Sequence, residues 1–158
     1  MIKRAIEPYF KHCLRKYPIV ALTGPRQFGK TTLCRFVLKD KPYVSFENPD
    51  LQILAQNDPR AFLQKYSDGA IFDEVQGVPH ILSYLQQIVD EDKRNGQFVL
   101  TGSQNLILLK SVQQSLAGRV TLLNLLPFSS LELGARVKKS LLNNSFLPDF
   151  ILVFMIRN

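Results

Sequence analysis

The chain has 158 residues, of which 46% are hydrophobic, enough for one compact domain with a buried core. Twenty basic and thirteen acidic residues give a formal charge of +7 and a pI near 9.6, which is compatible with a polyanionic partner without identifying one. Cys13 and Cys34 lack C-x-x-C spacing, so the sequence indicates neither a disulfide framework nor a zinc site. It contains no signal-peptide pattern and no run of transmembrane length, so we expect a cytoplasmic protein with no membrane partner.

The first predicted element is an amphipathic helix over residues 1–17. Apolar residues recur there at steps of three or four, and the lysines and arginines between them lie on the outward face. Pro8 is a point at which this helix could be interrupted. We predict that Cys13, and Cys34 on the next helix, pack as small apolar side chains.

A buried strand beginning at Ile19 leads into a glycine loop that fits the pattern G-x-x-x-x-G-K-[ST] and is followed by a helix. Backbone N–H groups in such a loop form a concave nest for an anion, and the helix N-terminus adds a partial positive charge. Lys30 would reach the β- and γ-phosphates, and the Thr31 hydroxyl would coordinate Mg²⁺. The loop therefore predicts binding of a triphosphate with magnesium by Gly24, Pro25, Arg26, Gln27, Phe28, Gly29, Lys30, Thr31 and Thr32.

A short second strand is predicted over Tyr43–Phe46, where β-favouring residues follow a break in the helical pattern. Two helices come next. Asp50 is the expected N-cap of the first, and Asp58, with Pro59 at the first helical position, is the expected N-cap of the second.

The third predicted strand, from Gly69, ends in two carboxylates, Asp73 and Glu74. An Asp at this position lies beside the glycine loop when both strands belong to one parallel sheet, so Asp73 can hold magnesium through water or through Thr31. A Glu directly after it suits a general base that orients and deprotonates a water for attack on the γ-phosphorus. We predict these roles for Asp73 and Glu74.

A helix over residues 79–93 and a fourth strand over residues 97–101 follow. Ser103 or Thr101, at the end of that strand, could lie between the carboxylates and the γ-phosphate and sense the bound nucleotide. The alternative is an ordinary turn in which these side chains cap a helix over residues 104–116.

The last predicted strand covers residues 120–126, and Arg119 precedes it. Arg119 could face a γ-phosphate in its own or a neighbouring subunit, as arginine fingers do, or it could make only a structural ion pair.

The order of motifs between residues 22 and 132 resembles the ATPase domain of the prokaryotic AAA+-like ATPases that carry a C-terminal domain of unknown function. The motifs are Thr23-Gly-Pro-Arg-Gln-x-Gly-Lys-Thr-Thr32, Asp58-Pro-x-x-Phe-Leu63, Asp73-Glu-Val-Gln-x-Val-Pro79, Leu100-Thr-Gly-Ser-Gln104, Ser115-Leu-Ala-Gly-Arg-Val120 and Pro127-Phe-Ser-x-Leu-Glu132. The resemblance implies an α/β, three-layer P-loop NTPase fold. Its parallel sheet of about five strands would belong to the additional-strand (AAA+-like) class, with one strand inserted between the P-loop strand and the Asp-Glu strand.

The same resemblance implies nucleotide binding by residues 24–32, magnesium and water roles for Asp73 and Glu74, and a possible sensor in Ser103. The ATPase domain would cover residues 1–139, and residues 140–158 match nothing in the family. We therefore expect a truncated or frame-shifted member, whose missing C-terminal domain or unknown protein partner would use the ATPase.

The leading functional prediction is thus an ATP-binding and ATP-hydrolysing domain that requires Mg²⁺, changes shape with the γ-phosphate and could form oligomers. A small-molecule or nucleotide kinase is the enzyme alternative, although Glu74 after Asp73 suits water activation better. A nucleic-acid-binding module is the third possibility, based on the charge of the chain and on a basic N-terminal helix that contains Lys3, Arg4, Lys11 and Arg15.

Overall fold

The computed structural model describes residues 2–103, 112, 114–129 and 132. Within this part of the chain, helices and strands alternate around one sheet, as expected when parallel strands need crossover connections. The strands are β1 (Ile19–Thr23), β2 (Tyr43–Ser45), β3 (Ala70–Asp73), β4 (Phe98–Gly102) and β5 (Val120–Asn124). The helices are α1 (Glu7–Lys16), α2 (Lys30–Val37), α3 (Pro49–Asn57), α4 (Pro59–Gln64) and α5 (Ile81–Asp92), and a single 3₁₀ turn covers Val75–Gly77.

The sheet has the strand order β2-β3-β4-β1-β5, and each neighbouring pair is parallel. Strand β4 lies between the P-loop strand β1 and the Asp-Glu strand β3, so the predicted additional-strand arrangement is confirmed. In register, Thr23 pairs with Gly102 and with Asn124, while Ser45 pairs with Asp73. The carboxyl ends of the strands therefore meet at one edge of the sheet, which we call the carboxyl edge; the opposite edge is the amino edge.

Alternating strand residues bury both faces of the sheet and produce the three layers. Ile19 and Ala21 face one core, together with side chains from α3, α4 and α5. Val20 and Leu22 face the other core, where α1 and α2 pack and where Cys13 and Cys34 are buried, as expected for small apolar side chains.

Two helix starts differ from the prediction. The first helix begins at Glu7 rather than near Met1, because Pro8 lies in its first turn, where its missing N–H needs no helical acceptor. Asp50 is not the cap of α3: the Asn48 side chain accepts a hydrogen bond from the Asp50 N–H, and Pro49 occupies the first turn. The predicted cap of α4 is confirmed, because Asp58 Oδ1 accepts from the Ala61 N–H at 3.0 Å.

Some predictions fall outside the described residues. Most of the helix predicted over residues 104–116 lies there, although Val112, Gln114 and Ser115 are helical. The boundary after residue 139 and the segment 140–158 also lie outside the described residues. None of the helices in the described part of the chain combines the length and the apolar character needed to cross a bilayer.

Candidate functional site

The glycine loop leaves β1 at the carboxyl edge and passes directly into α2. Gly24 (φ +150°) and Gly29 (φ +82°) have backbone conformations that disfavour side chains, and Gln27 is left-handed as well (φ +65°). A Cβ on Gly24 would lie 2.3 Å from the carbonyl oxygen of Leu125. Only glycine fits at that point, since the chain after β5 runs directly against the loop.

Lys30 is the first residue of α2, and its side chain folds back over the loop. It is only 5% exposed, and its Nζ donates to the carbonyl oxygens of Gly24 (2.9 Å) and Pro25 (2.8 Å). A buried ammonium group held by two loop carbonyls brings a full positive charge to the concave side of the loop. Pro25, Arg26, Gln27 and Thr32 are exposed, whereas Phe28, Gly29 and Thr31 are half-buried.

Asp73, at the carboxyl end of β3, is the polar centre of the site. It is 6% exposed, and three hydroxyl groups donate to it. Thr31 Oγ1 reaches Asp73 Oδ2 at 2.9 Å, Tyr43 OH reaches the same oxygen at 2.6 Å, and Thr101 Oγ1 donates to Oδ1. The structure thus brings Asp73 and Thr31 together, and the buried carboxylate is held by charge-assisted hydrogen bonds. The magnesium roles of both residues stay predictions.

Tyr43, predicted only as a strand residue, also belongs to the site. Burial, followed by its hydrogen bond to Asp73, raises the pKa of the Tyr43 hydroxyl to about 12, so it remains a donor at neutral pH. The guanidinium carbon of Arg35 lies 5.1 Å from the centre of its ring. Tyr43 is near Asp73 because β2 pairs with β3, and that pairing is the signal from which the contact could have been expected.

Glu74 follows the strand in a left-handed conformation (φ 55°, ψ 47°) at the start of the 3₁₀ turn. Its Oε2 accepts a hydrogen bond from the Gln76 side-chain amide, whose own carbonyl oxygen is buried and has no hydrogen-bond partner among the described residues. Left-handed backbone is unusual for a non-glycine residue and often marks a functional position. The side chain is half-buried, and its predicted role as a general base stays a prediction.

Of the two candidates at the end of β4, Thr101 is the one that contacts a carboxylate. Its hydroxyl donates to Asp73, and the residue is 1% exposed. Ser103 follows β4 by one residue and is half-buried at the same edge. The sensor role of Ser103 stays a prediction.

Arg119 lies at the other edge of the sheet. It directly precedes β5, and its carbonyl oxygen accepts from the N–H of Ile19, the first residue of β1. Its guanidinium donates to both carboxylate oxygens of Asp90 (2.6 and 2.8 Å) and, mainly through these hydrogen bonds, lowers the pKa of Asp90. Of the two expectations for Arg119, the structure shows the ion pair, at the edge of the sheet opposite the glycine loop. A role for Arg119 on a neighbouring subunit stays a prediction.

Arg4 also differs from expectation. It precedes α1 and is 5% exposed, so it does not belong to a solvated basic face. Its Nη1 instead donates to the carbonyl oxygen of Phe28, within the glycine loop, at 2.8 Å. The sequence separation of 24 residues gives no local pattern by which this contact could have been predicted.

A groove of about 480 Å³ lies between α4 and α5 and shares no residue with the glycine loop. Its Arg94 donates to Asp92 Oδ1 (2.8 Å) and to Asp68 (3.4 Å), so acidic partners already neutralise that guanidinium. The groove also includes Arg60, Ser67, Tyr84, Gln87 and Glu91. Among the described residues, the buried side chains of Lys30, Asp73 and Thr101 lie at the carboxyl edge, away from this groove.

Two curated mycobacterial proteins match most of this chain. The uncharacterized proteins Rv2008c of Mycobacterium tuberculosis and Mb2031c of Mycobacterium bovis are each 37% identical to it over 141 residues. The matched region is 87% of this chain but only 32% of each relative. The chain thus spans about a third of the length of these relatives.

Solved structures share the fold at low sequence identity. The Walker-type ATPase PABY2304 of Pyrococcus abyssi superposes with a TM-score of 0.56 and 19% identity, over 84% of this chain and 55% of that one. A DNA replication initiation factor gives a TM-score of 0.50 and 13% identity, over 75% of this chain and 43% of that one. A family model described as an AAA domain matches residues 16–134, which contain the whole sheet, the glycine loop and Asp73. This chain therefore belongs to that AAA domain family.

Proposed function

We propose that this chain binds ATP with Mg²⁺ at the glycine loop, residues 24–32, and hydrolyses it to ADP and phosphate. The observation that carries the proposal is the 2.9 Å hydrogen bond between Thr31 Oγ1 and Asp73 Oδ2, next to the buried ammonium of Lys30. A hydroxyl, a carboxylate and a lysine at the end of an anion-binding loop form the donor set that a magnesium nucleotide needs. Membership of the AAA domain family supports this assignment.

The residues present suit Mg²⁺ better than a metal held by protein alone. Within the described residues, no group of three or more His, Cys, Asp or Glu side chains could hold a metal ion. Mg²⁺ prefers hard oxygen ligands, keeps several waters and is often bound by one or two protein groups plus substrate phosphates. Thr31 and Asp73 would supply those protein oxygens, and the bound ion would neutralise charge on the β- and γ-phosphate oxygens.

The other residues of the site would each have a separate role in ATP hydrolysis. Lys30 and the loop N–H groups would stabilise the negative charge on the phosphates. Glu74 would accept a proton from the attacking water, which displaces ADP from the γ-phosphorus in line, and the Gln76 amide would hold the Glu74 carboxylate in place. Ser103, at the same edge, would sense whether the γ-phosphate is present.

ATP turnover would drive a further domain or a protein partner. The mycobacterial relatives are about three times as long as the region matched here, so a further domain or protein partner would use the conformational change. A neighbouring subunit would provide the place where Arg119 could contact a nucleotide, and we propose this role only for an oligomer.

Replacing the proposed base separates binding from hydrolysis. Glu74→Gln keeps the size of the side chain and one oxygen that can accept from the Gln76 amide, but it cannot take a proton at neutral pH. We expect ATP affinity close to that of wild type and turnover lower by a factor of roughly 10² to 10⁴. Glu91→Gln, at an exposed position on α5, is the matched control and should leave both quantities unchanged. Wild-type turnover in the Glu74→Gln variant would remove Glu74 from the mechanism.

A basic helical face supports nucleic-acid binding as a second candidate function. Helices α1 and α2 pack on the same face of the sheet, and their surface carries the exposed side chains Lys11, Arg15, Lys16 and Arg35. The acidic Glu7 of α1 is buried and bonded to Lys11. Because phosphate contacts release counterions, such a face would bind nucleic acid in a salt-dependent manner.

A filter-retention titration with single- and double-stranded DNA tests this second function. A variant with Lys11, Arg15 and Lys16 changed to Gln should lose retention at low salt, while its ATP affinity stays unchanged. Changing Lys65 and Lys93, on the opposite face of the sheet, to Gln is the control. Equal retention by both variants would refute a binding surface on α1.

A further inference from the structure

The segment before α1 is tied to the glycine loop by one buried arginine. Arg4 Nη1 donates to the carbonyl oxygen of Phe28 at 2.8 Å, and Nη2 donates to the carbonyl oxygen of Leu126 at 2.5 Å. Its Nε lies 3.1 Å from Glu132 Oε1, and its guanidinium carbon lies 4.1 Å from the centre of the Phe128 ring. One side chain therefore joins the N-terminal segment, the loop and the chain after β5.

The chain after β5 is itself arranged to hold Arg4. The Ser129 N–H donates to Glu132 Oε2 at 2.8 Å, and the Glu132 N–H donates to Ser129 Oγ at 3.2 Å, as in a capping box. The other carboxylate oxygen of Glu132 accepts from Arg4 and from the Ala5 N–H. These contacts give a structural reason for the motif Pro127-Phe-Ser-x-Leu-Glu132, which has no part in the proposed hydrolysis.

The charge state of Glu132 supports the same arrangement. Burial by itself would raise the pKa of Glu132, but the Ala5 and Ser129 N–H groups and the Arg4 guanidinium outweigh burial and lower it. Glu132 is therefore a carboxylate at neutral pH. A buried guanidinium paired with a buried carboxylate is costly to break, because removing either partner leaves the other uncompensated.

The contact with Phe28 matters because of the geometry of a peptide unit. In a trans peptide the C=O and the following N–H point in opposite directions. Since the Phe28 carbonyl points toward Arg4, the Gly29 N–H points away from it. Gly29 is the second fixed glycine of the loop, and its N–H belongs to the series that would surround a phosphate.

We propose that Arg4, held by Phe128 and Glu132, is a positioning residue for the nucleotide phosphates: it fixes the Phe28–Gly29 peptide so that the Gly29 N–H is directed at the phosphate. The inference rests on the proposed ATP site and adds a dependence of that site on the chain after β5. The same contacts would couple the conformation of the loop to that of the segment that begins at Pro127.

Calorimetric titration of MgATP and MgADP tests this role at a temperature where circular dichroism shows each variant to be folded. Arg4→Ala should bind both nucleotides about tenfold more weakly than wild type, and Glu132→Gln, which keeps the shape of the side chain, should bind them several-fold more weakly. Lys65→Ala removes a positive charge from an exposed position at the end of α4. Val89→Ala truncates a buried side chain of α5 and lowers stability without touching the loop. Both controls should bind as wild type does.

The pattern across variants separates positioning from a general structural role. If Val89→Ala weakens binding as much as Arg4→Ala, lost stability alone explains the effect and the positioning role is refuted. Unchanged affinity in a folded Arg4→Ala variant also overturns it. Should Arg4→Ala not fold, unchanged affinity in Glu132→Gln overturns it, and weaker binding by Glu132→Gln supports it. If wild type binds neither nucleotide, the proposed function fails and this inference fails with it.

Discussion

The two edges of the sheet use similar polar groups in opposite ways. At the carboxyl edge, three hydroxyl groups donate to the buried Asp73. At the amino edge, Arg94 pairs with Asp92 and Arg119 pairs with Asp90, and each of these pairs is open to solvent.

The two edges differ in what happens to a polar group when a mutation removes its hydrogen-bond or ion-pair partner. A group exposed by mutation at the amino edge is rehydrated by water, so an exposed ion pair adds little to stability. A group left without a partner at the carboxyl edge stays buried and loses its hydrogen bond without compensation. The carboxyl edge is thus the part of the sheet where precise polar contacts are expensive to maintain, as expected of a binding site.

Asp73→Ala should have the largest effect on stability. It removes the acceptor of three buried or half-buried hydroxyl groups, and we expect a loss of about 3 kcal/mol in the free energy of unfolding. Urea unfolding followed by circular dichroism measures the loss. Asp90→Ala, which removes the exposed partner of Arg119 at the amino edge, is the control; equal losses in the two variants would contradict the contrast between the edges.

Gly24→Ala should have the second largest effect on stability. A side chain here has both an unfavourable φ of +150° and a contact of 2.3 Å with the Leu125 carbonyl oxygen, and we expect a loss of about 2 kcal/mol. Gly118→Ala is matched to it, because Gly118 also has a positive φ (+75°) but its Cβ would meet nothing within 4 Å. A thermal unfolding comparison should show the larger loss for Gly24→Ala. The opposite order would mean that the loop can move away from Leu125.

Tyr43→Phe should cost about 1 kcal/mol, because Asp73 loses one of its donors while the ring stays in place. Burial, followed by the hydrogen bond to Asp73, raises the pKa of Tyr43 to about 12, above its ordinary value. Its contribution to stability is therefore complete below about pH 10 and is lost as the pH rises through about 12. The free energy of unfolding of wild type should exceed that of Tyr43→Phe by a constant amount near neutral pH, and the difference should disappear at strongly alkaline pH. Unfolding titrations of both proteins over this pH range measure it. A difference independent of pH would contradict the hydrogen bond.

Arg119→Ala should have the smallest effect. The ion pair with Asp90 is exposed, so its removal should leave the melting temperature nearly unchanged. Nucleotide affinity of the single chain should also be unchanged, because Arg119 lies at the amino edge. A clear loss of affinity in the monomer would instead place Arg119 at the nucleotide of its own chain.

Much of the fold could be predicted from local patterns. The glycine loop lies between a buried strand and a helix, and its fixed residues follow from the geometry of an anion nest. The fold class and the inserted strand β4 were expected from the resemblance in the order of motifs, and the sheet confirms them. The position of Asp73 beside Thr31 follows because Asp73 ends the parallel strand β3 and Thr31 lies in the first turn of α2, where the loop after β1 ends, so both lie at the carboxyl edge.

The rest depends on contacts between residues far apart in sequence. Arg4 meets Glu132 across 128 positions, and nothing in the local pattern distinguishes it from the exposed lysines around it. The position of Arg119, in contrast, could be predicted locally. A residue that directly precedes a parallel strand lies at the amino edge of the sheet. Asn48 rather than Asp50 caps α3 because Pro49 lies in the first turn of the helix, which favours the residue before it as the cap.

The central claim is that the loop and Lys30 bind a magnesium nucleotide. Titration calorimetry of wild type and Lys30→Ala with ATP, each with and without Mg²⁺, tests it most directly. Wild type should bind ATP in a saturable, magnesium-dependent manner, and a folded Lys30→Ala variant should show no detectable binding. Equal ATP affinity in the two proteins would contradict the site.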